Sequence, residues 1–406
     1  MKGTYDVIGA GEGIAGLFAS VLLAARGLSC LWVDASPQRP GTTLPEDTPL
    51  LLTEAFYQEI LVPVLSRVDK RLAGTLDVEH GLSADWVEAE DLAHERSCRA
   101  GTTPAAAGRG VSGYVPLLRR SLTRPGRYLR RLGGRHATRD VRGQDPCAAS
   151  SPPGTGLAGR YRGEVSALGM CALAHGAVKT ALESCLARAR GRLVRSPGAA
   201  ILTRDGAVLG MPLEDVVHVG HSYLTEDPPG ETPHHGFYLY GRCRAPLDML
   251  PPGMGDLLVI PPPVEMRSPL VLKVNRHTPD PSISIFTRAH AEEGLASFTE
   301  AVSWASGMVV KRVSRVLPFL AAAMQTFEAV NPLQGGTVRP WFRFSDDVHP
   351  PSLFGARRYI SPLERMYALD RDKYACLGDD GDFFWGICIA NAVLRDLGRS
   401  DLITAG

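Results

Sequence analysis

The chain has 406 residues, a net charge of +1, 44% hydrophobic residues and 21% charged residues. This composition excludes a disordered or collagen-like chain and a strongly basic nucleic-acid-binding protein. The length predicts two domains or one discontinuous pair, because a single hydrophobic core rarely grows this large. The longest nearly uncharged apolar stretch, residues 14–25, is shorter than the roughly 18 residues that a transmembrane helix needs, so we expect none.

The N-terminal elements follow one another closely. Residues 4–10 predict a strand, residues 17–26 have the apolar spacing of a helix that Gly27 ends, and residues 29–33 predict a second strand that ends at Asp34. A strand that begins near Tyr5 leaves no room for a secretory signal, and the eight cysteines show no C-x-x-C pair. We therefore expect free thiols and a cytoplasmic location.

A glycine-rich turn joins the first strand to the first helix. Gly11, Gly13 and Gly16 form the pattern G-x-G-x-x-G, in which glycines permit a tight turn, approach to a pyrophosphate and close helix–sheet packing. Asp34, at the end of the next strand, is placed to accept hydrogen bonds from a ribose. The sequence therefore predicts a dinucleotide site; a register starting at Gly9 would put Ile14 where the third glycine belongs.

The same pattern recurs at residues 108–113 and 154–159, but no strand precedes either copy, and we interpret both as accidents of composition. Residues 96–168, which contain both copies, are rich in Arg, Gly, Pro and Ser and predict a flexible insertion. A helix is predicted before this insertion, at residues 53–73, and another after it, from Cys171 to Arg188.

The second half of the chain predicts strands, then helices. A hairpin is expected around Asp205-Gly206, since this dipeptide separates two apolar runs. Residues 234–274 predict strands of an antiparallel sheet, and residues 294–330 are predicted to be helical. The C-terminal part predicts a short strand, a Gly-Asp turn and a helix ended by Gly398.

Three separated stretches resemble the family of FAD-dependent phytoene desaturases and amine oxidases, whose fold is shared by Rab GDP-dissociation inhibitors. The first stretch, residues 5–41, contains the glycine pattern and Asp34, followed by Arg39-Pro40-Gly41. The second, residues 169–211, resembles the family's middle helix and hairpin. The third, residues 374–398, resembles the strand, Gly-Asp and helix that close over the flavin.

The resemblance implies FAD as cofactor and assigns roles to residues of this chain. Arg39 would meet the pyrophosphate, the backbone near Ala199 would lie by the adenine, and Asp379 would bond a ribityl hydroxyl. A helix beginning near Gly386 would direct its positive N-terminus at the flavin N1/O2 edge. The aromatic run 383–385 would either face the flavin or pack in the core.

The resemblance also implies an α/β fold, in which a Rossmann-like FAD-binding domain carries an inserted mixed-sheet and helical substrate domain. The FAD domain would comprise residues 1–75, 165–225 and 350–406. Residues 76–164 would form an inserted substrate or lid region, and residues 226–349 the substrate domain.

The implied function is an FAD-dependent oxidoreductase of the desaturase or dehydrogenase type, which transfers hydride from an apolar or amine-bearing small molecule to flavin N5. Two alternatives stay open. One is an amine oxidase, and the other is a non-redox lipid or prenyl carrier like the GDP-dissociation inhibitors, in which Glu12 would block the pyrophosphate.

A basic segment and scattered histidines suggest other partners. Nine arginines lie from Arg119 to Arg142, which fits either a solvated surface or a peripheral contact with the inner face of a membrane. In the second case the contact would include the apolar residues beside and among the arginines: Leu117, Leu118, Leu122, Tyr128, Leu129 and Leu132. The neutral charge of the whole chain argues against nucleic acid. We expect no metal site, because the histidines lack a known ligand spacing: His218, His221, His234 and His235.

Overall fold

The structure, a computed structural model, describes the following residues: 2–11, 13–34, 49–87, 116, 118–119, 122, 168–195, 200–202, 207–209, 217–225, 235–244, 250, 254–260, 270–276, 282–291, 298–324, 342–344, 366–368 and 377–405. These residues form a mixed α/β fold with three sheets and confirm the predicted fold class.

The strands, in chain order, are β1 (Lys2–Gly11), β2 (Cys30–Asp34), β3 (Pro49–Thr53), β4 (Val78–Leu82), β5 (Ala84–Trp86), β6 (Met170–Ala174), β7 (Gly191–Arg195), β8 (Ala200–Leu202), β9 (Ala207–Leu209), β10 (Val217–Thr225), β11 (His235–Arg244), β12 (Leu257–Ile260), β13 (Leu270–Asn275), β14 (Ser282–Ala291), β15 (Phe342–Phe344) and β16 (Met366–Ala368).

The helices are α1 (Ile14–Ala25), α2 (Glu54–Phe56), α3 (Val62–Val68), α4 (Leu72–Thr75), α5 (His175–Arg188), α6 (Phe298–Val316), α7 (Ala321–Met324) and α8 (Gly378–Asp396). A π-helical turn (Tyr57–Leu61) joins α2 to α3, and a 3₁₀ turn (Pro318–Leu320) precedes α7.

The first sheet has β1 at its centre. β2 and then β7 lie on one side of β1, β10 lies on the other, and all four strands run parallel. β16 continues this parallel arrangement along the end of β10, whereas β9 pairs antiparallel with the start of β10. The parallel strands therefore end at one common edge, which is where ligands bind in open α/β sheets.

Two smaller sheets complete the fold. The second sheet has the order β11-β14-β13-β12-β5, antiparallel except for β5, which pairs parallel with β12. The third consists of β6 between β3 and β4. The predicted antiparallel sheet is confirmed, although β14 was not predicted. The domain boundaries named above stay predictions.

Two hydrophobic cores lie under these sheets. The first and larger core joins α1, α5 and α8 to the parallel sheet and to α2 and α3. The second packs α6 and α7 against the second sheet. α1 is buried nearly all round, as expected for a helix enclosed between a sheet and other helices.

Local signals predicted several element ends. Gly27 and Gly398 both have positive φ, +85° and +71°, and each lies just beyond the C-cap residue of its helix, α1 or α8, which confirms them as helix-terminating residues. The predicted helix over residues 53–73 is largely found, as α2, the π-helical turn, α3 and the start of α4. Thr53 caps its first turn by accepting a hydrogen bond from the Phe56 N–H at 3.1 Å. The hairpin prediction is also confirmed, because β8 and β9 pair antiparallel; its turn lies outside the described residues.

One helix start was predicted wrongly. The segment from Cys171 was expected to be helical, but residues up to Ala174 belong to β6, and α5 begins at His175. β6 pairs with β3 on one edge and β4 on the other, so tertiary pairing decides the conformation of this short apolar run.

Candidate functional site

The predicted dinucleotide residues meet at the edge where the parallel strands end. Gly11 is the last residue of β1 and lies opposite Asp34, the last residue of β2. Gly13 is the N-cap of α1, with extended backbone and no side-chain cap, and Gly16 is buried in the first turn of the helix. The structure thus brings Gly11, Gly13, Gly16 and Asp34 together; Glu12 lies outside the described residues.

Gly9 has a different role from these glycines. A Cβ on Gly9 would lie 2.5 Å from Cε3 of Trp32 on β2 and 3.3 Å from the Ser20 hydroxyl of α1. Gly9 therefore allows the Trp32 ring and α1 to pack closely on β1. This packing role agrees with the register that begins at Gly11.

Asp34 forms an ion pair that the sequence did not predict. Its Oδ2 lies 2.9 Å from Nζ of Lys179 on α5, and the Asp34 side chain is only 4% exposed while that of Lys179 is 23% exposed. The two residues are far apart in sequence, so no local pattern could indicate the contact.

The start of α8 contacts β3 through two adjacent carboxylates. The Leu51 N–H donates to Asp379 Oδ2 at 2.7 Å, and the Thr53 N–H donates to Asp380 Oδ1 at 3.0 Å. The Thr53 hydroxyl also donates to Asp380 Oδ2 at 2.8 Å. The acidic pair therefore serves as a hydrogen-bonding edge for β3, and the ribityl contact of Asp379 stays a prediction.

The helix that was expected to begin near Gly386 begins at Gly378 instead. Asp379 and Asp380 lie in its first turn, where negative side chains are favoured by the helix dipole, so the predicted Gly-Asp turn is part of the helix. Gly386 consequently lies inside α8, and its predicted place at a helix N-terminus is wrong.

Gly386 instead marks the crossing of α8 and α1. A Cβ at this position would lie 2.8 Å from the Ala15 carbonyl oxygen and 3.1 Å from Phe18 Cδ1. The absence of a side chain lets the two helices approach beside the first turn of α1.

The aromatic run on α8 belongs to the core. Phe383, Phe384 and Trp385 are at most 3% exposed, and the Phe383 ring contacts Phe18 edge-to-face with centroids 5.2 Å apart. Of the two predicted roles, the structure shows core packing.

A second polar cluster was also missed. Both carboxylate oxygens of Glu54 lie 3.1 Å from Nδ1 of His80, and the Gly81 N–H donates to Glu54 Oε1 at 2.7 Å. The Tyr57 ring lies against His80, with centroids 5.5 Å apart, and burial raises the pKa of Tyr57, helped by nearby Cys171 and Glu54. These contacts join α2 to β4, so we interpret the cluster as structural.

The arginine-rich segment is described at its first residues only. Arg119 donates to the Glu59 carbonyl at 2.7 Å and lies 3.7 Å from the Glu59 carboxylate. Leu118 and Leu122 are fully buried in the first core, which corrects their predicted place among membrane-contacting side chains. Residues from 123 to Arg142 lie outside the described ones.

Several further predictions can be compared with the described residues. Arg39 and Ala199 lie outside them. Within the described part, no group of His, Cys, Asp and Glu could hold a metal ion, and no helix is long and apolar enough to span a membrane. Five cysteines in this part are free and buried, and burial raises the pKa of their thiols: Cys30, Cys171, Cys185, Cys243 and Cys388.

The chemistry of this edge fits the nucleotide half of FAD. An α-helix whose N-cap carries no side chain directs backbone N–H groups and the positive end of its dipole toward a phosphate. A carboxylate at the end of the adjacent strand accepts hydrogen bonds from ribose hydroxyls.

An open groove of about 690 Å³ lies elsewhere, between α4 and one face of α5. Its lining includes Leu72 and Thr75 of α4 and Ala177 and Ala181 of α5. Neither Asp34, Lys179 nor the glycines of the strand edge line it.

Comparison with known proteins shows similarity of fold alone. No family model matches the chain, and no curated protein matches it in sequence. Putrescine oxidase bound to putrescine matches with a TM-score of 0.54 at 10% identity, over 98% of this chain and all of that one. A geranylgeranyl bacteriochlorophyll reductase-like protein of Thermoplasma acidophilum matches with a TM-score of 0.47 at 9% identity, over 98% and 80%. The chain thus has the α/β fold that putrescine oxidase has.

Proposed function

We propose that the protein is an FAD-dependent oxidoreductase that oxidises a small molecule. The observation that carries the proposal is the arrangement at the end of β1: Gly11 lies opposite Asp34, and Gly13 caps α1 without a side chain. Because glycine turns also occur in unrelated loops, the proposal depends on the strand, helix and carboxylate occurring together.

The residues proposed to hold FAD follow from this arrangement. The first turn of α1 would bind the pyrophosphate, and Asp34 would bind the adenosine ribose. Asp379 would accept a hydrogen bond from a ribityl hydroxyl. Arg39 and the backbone at Ala199 are proposed only from the family resemblance. FAD would supply a two-electron acceptor, while the protein binds, orients and shields the reactants.

An amine is the first substrate class to test. The likeness to putrescine oxidase, a protein solved with putrescine bound, supports it over the apolar substrates of desaturases, although the resemblance covers both. A non-redox lipid or prenyl carrier is the alternative that lacks a flavin.

Flavin binding and reduction test the proposal in sequence. Apoprotein titrated with FAD should quench flavin fluorescence to a stoichiometric end point, whereas FMN, which lacks the adenosine half, should bind more weakly. Anaerobic addition of putrescine and other primary amines should then bleach the oxidised-flavin spectrum. Binding of FAD without bleaching by any amine would contradict the amine assignment, and absence of FAD binding would favour the carrier.

A further inference from the structure

We propose that Lys179 is a positioning residue of the nucleotide site, which holds the Asp34 carboxylate for the adenosine ribose of a bound dinucleotide. This inference rests on the proposed function and names a residue outside the glycine pattern. Lys179 comes from α5, which follows β6 and lies far from β2 in sequence.

The packing of α5 brings Lys179 to Asp34. α5 packs on α1 and β7, and it buries Val178 and Leu182 on the side that faces the core. Lys179 lies one turn after the start of α5, beside this buried side, and its ammonium reaches Asp34 Oδ2 at 2.9 Å. The contact is therefore fixed by the same packing that supports the parallel sheet.

The ion pair fixes the place of the Asp34 carboxylate. The Asp34 side chain is only 4% exposed, and the Lys179 ammonium holds its Oδ2 at 2.9 Å through a charge-assisted contact. The carboxylate oxygens are acceptors, and a ribose presents hydroxyl donors. Loss of the ammonium would thus weaken ribose recognition even though Lys179 does not belong to the glycine pattern.

The choice of lysine over arginine also bears on the site. An ammonium is a compact point charge, whereas a guanidinium engages both carboxylate oxygens in a fixed bidentate geometry. A carboxylate has about four acceptor sites on two oxygens, and the Lys179 ammonium is paired with only one of these oxygens, Oδ2. Arginine at this position would compete with the ribose for the same carboxylate.

ADP and 2′-deoxy-ADP are the probes that isolate the ribose contact. For wild-type protein we expect ADP to bind about tenfold or more tightly than 2′-deoxy-ADP, the worth of a hydrogen bond to a charged group. Lys179→Met should weaken ADP binding about tenfold and bring the two dissociation constants together. The control is Arg188→Met, which removes another basic residue of α5, one paired with Asp69 at 2.8 Å, and should leave both constants unchanged.

A second variant separates ligand recognition from folding. Lys179→Arg keeps the cation, so its melting temperature should match that of the wild type, yet its preference for ADP over 2′-deoxy-ADP should be lost. If Lys179→Met does not fold, this variant alone decides the matter.

The inference would be overturned if either folded variant preferred ADP over 2′-deoxy-ADP as strongly as the wild type does. It would also be overturned if the wild type bound both probes equally. Both outcomes would leave the proposed function intact. Wild-type protein that binds neither FAD nor ADP would contradict the proposed function, and the inference would fail with it.

Discussion

Asp379 and Asp380 are adjacent in sequence but bind alternate residues of β3. Leu51 and Thr53 direct their N–H groups to the same edge of the strand, because the N–H groups of successive residues point to opposite edges. The two carboxylates in the first turn of α8 satisfy both donors. A Gly-Asp sequence that resembles a cofactor motif thus also has a structural role in this chain.

Replacing Asp379 with alanine should therefore have two effects. The free energy of unfolding should fall by about 1–3 kcal/mol, since the buried Leu51 N–H loses its acceptor. FAD binding should weaken by about 1.5–3 kcal/mol if the carboxylate also holds a ribityl hydroxyl.

Urea denaturation and FAD titration measure the two effects of Asp379→Ala separately. Asp379→Asn is the matched control, because it keeps one carbonyl oxygen for the Leu51 N–H and should retain most of the stability. Lower stability with an unchanged FAD dissociation constant would show that Asp379 has a structural role only.

Individual site residues differ in how far the sequence predicts them. Gly11, Gly13 and Asp34 depend on local order along one βαβ unit, so spacing alone places them. Lys179 contacts Asp34, and the Leu51 N–H contacts Asp379, through tertiary packing of distant segments, which one sequence does not reveal. Gly386 was misplaced because the acidic first turn of α8 extends the helix to Gly378.

At the scale of elements, the crossing of α1 and α8 determines how the first turn of α1 is supported. Gly386 lies against the carbonyl of Ala15, and Ala15 is in the same first turn of α1 that Gly13 caps. The close approach depends on the missing side chain, since packed interiors have little room for added atoms.

The variant Gly386→Ala should consequently destabilise the protein by about 1–3 kcal/mol, because its Cβ would collide with backbone 2.8 Å away. Gly307→Ala, in the interior of α6, is the control: its Cβ would meet nothing within 4 Å, so better helix propensity should stabilise the protein by about 0.5–1 kcal/mol. Denaturant midpoints of the two variants should move in opposite directions. A neutral Gly386→Ala would show that the helices can separate without cost.

Asn391 joins three distant parts of the chain. Its buried amide donates to the carbonyls of Leu122, at 3.0 Å, and Ile403, at 2.9 Å, and it accepts from the Ile403 N–H at 2.6 Å. α8 is thereby tied both to the C-terminal residues and to the start of the arginine-rich segment.

We expect Asn391→Leu to lower the free energy of unfolding by about 3 kcal/mol, because the three backbone groups lose their partner within the core. Thermal or chemical denaturation measures this loss. Arg395→Leu, at an exposed position one turn later on α8, should change stability by no more than about 0.5 kcal/mol. Equal stabilities of the two variants would contradict the structural role of Asn391.

Element types were predictable where periodicity and caps agree, as for α1 and the end of α8. Four of the five residues of β6, from Cys171 to Ala174, were predicted as helix because they lead into a long run of good helix formers, and only pairing on both edges makes them a strand. The π-helical turn at Tyr57 has no recognisable sequence signal.

At the scale of the whole molecule, the arginine-rich segment offers a separate test. Arg119 is engaged by Glu59, and Leu118 and Leu122 belong to the core, so only the later arginines remain for an anionic surface. We expect binding to anionic vesicles at low salt, since each basic residue near such a surface contributes about 1 kcal/mol.

Co-sedimentation measures this binding. Neutral vesicles and rising salt concentration should abolish it, and replacing Arg130, Arg131 and Arg135 with glutamine should weaken it. Protein that stays in the supernatant with anionic vesicles at low salt would reject the membrane contact and leave a solvated surface as the explanation.

The central claim is that the edge of the parallel sheet at Gly11, Gly13 and Asp34 binds FAD, and the visible absorption spectrum of the purified, FAD-reconstituted protein tests it most directly. We predict the bands of bound oxidised flavin at about one FAD per chain for the wild type. Gly13→Val should show little or none, because a branched side chain would occupy the path of the pyrophosphate. A colourless wild-type protein after reconstitution, or equal flavin content in both proteins, would contradict the claim.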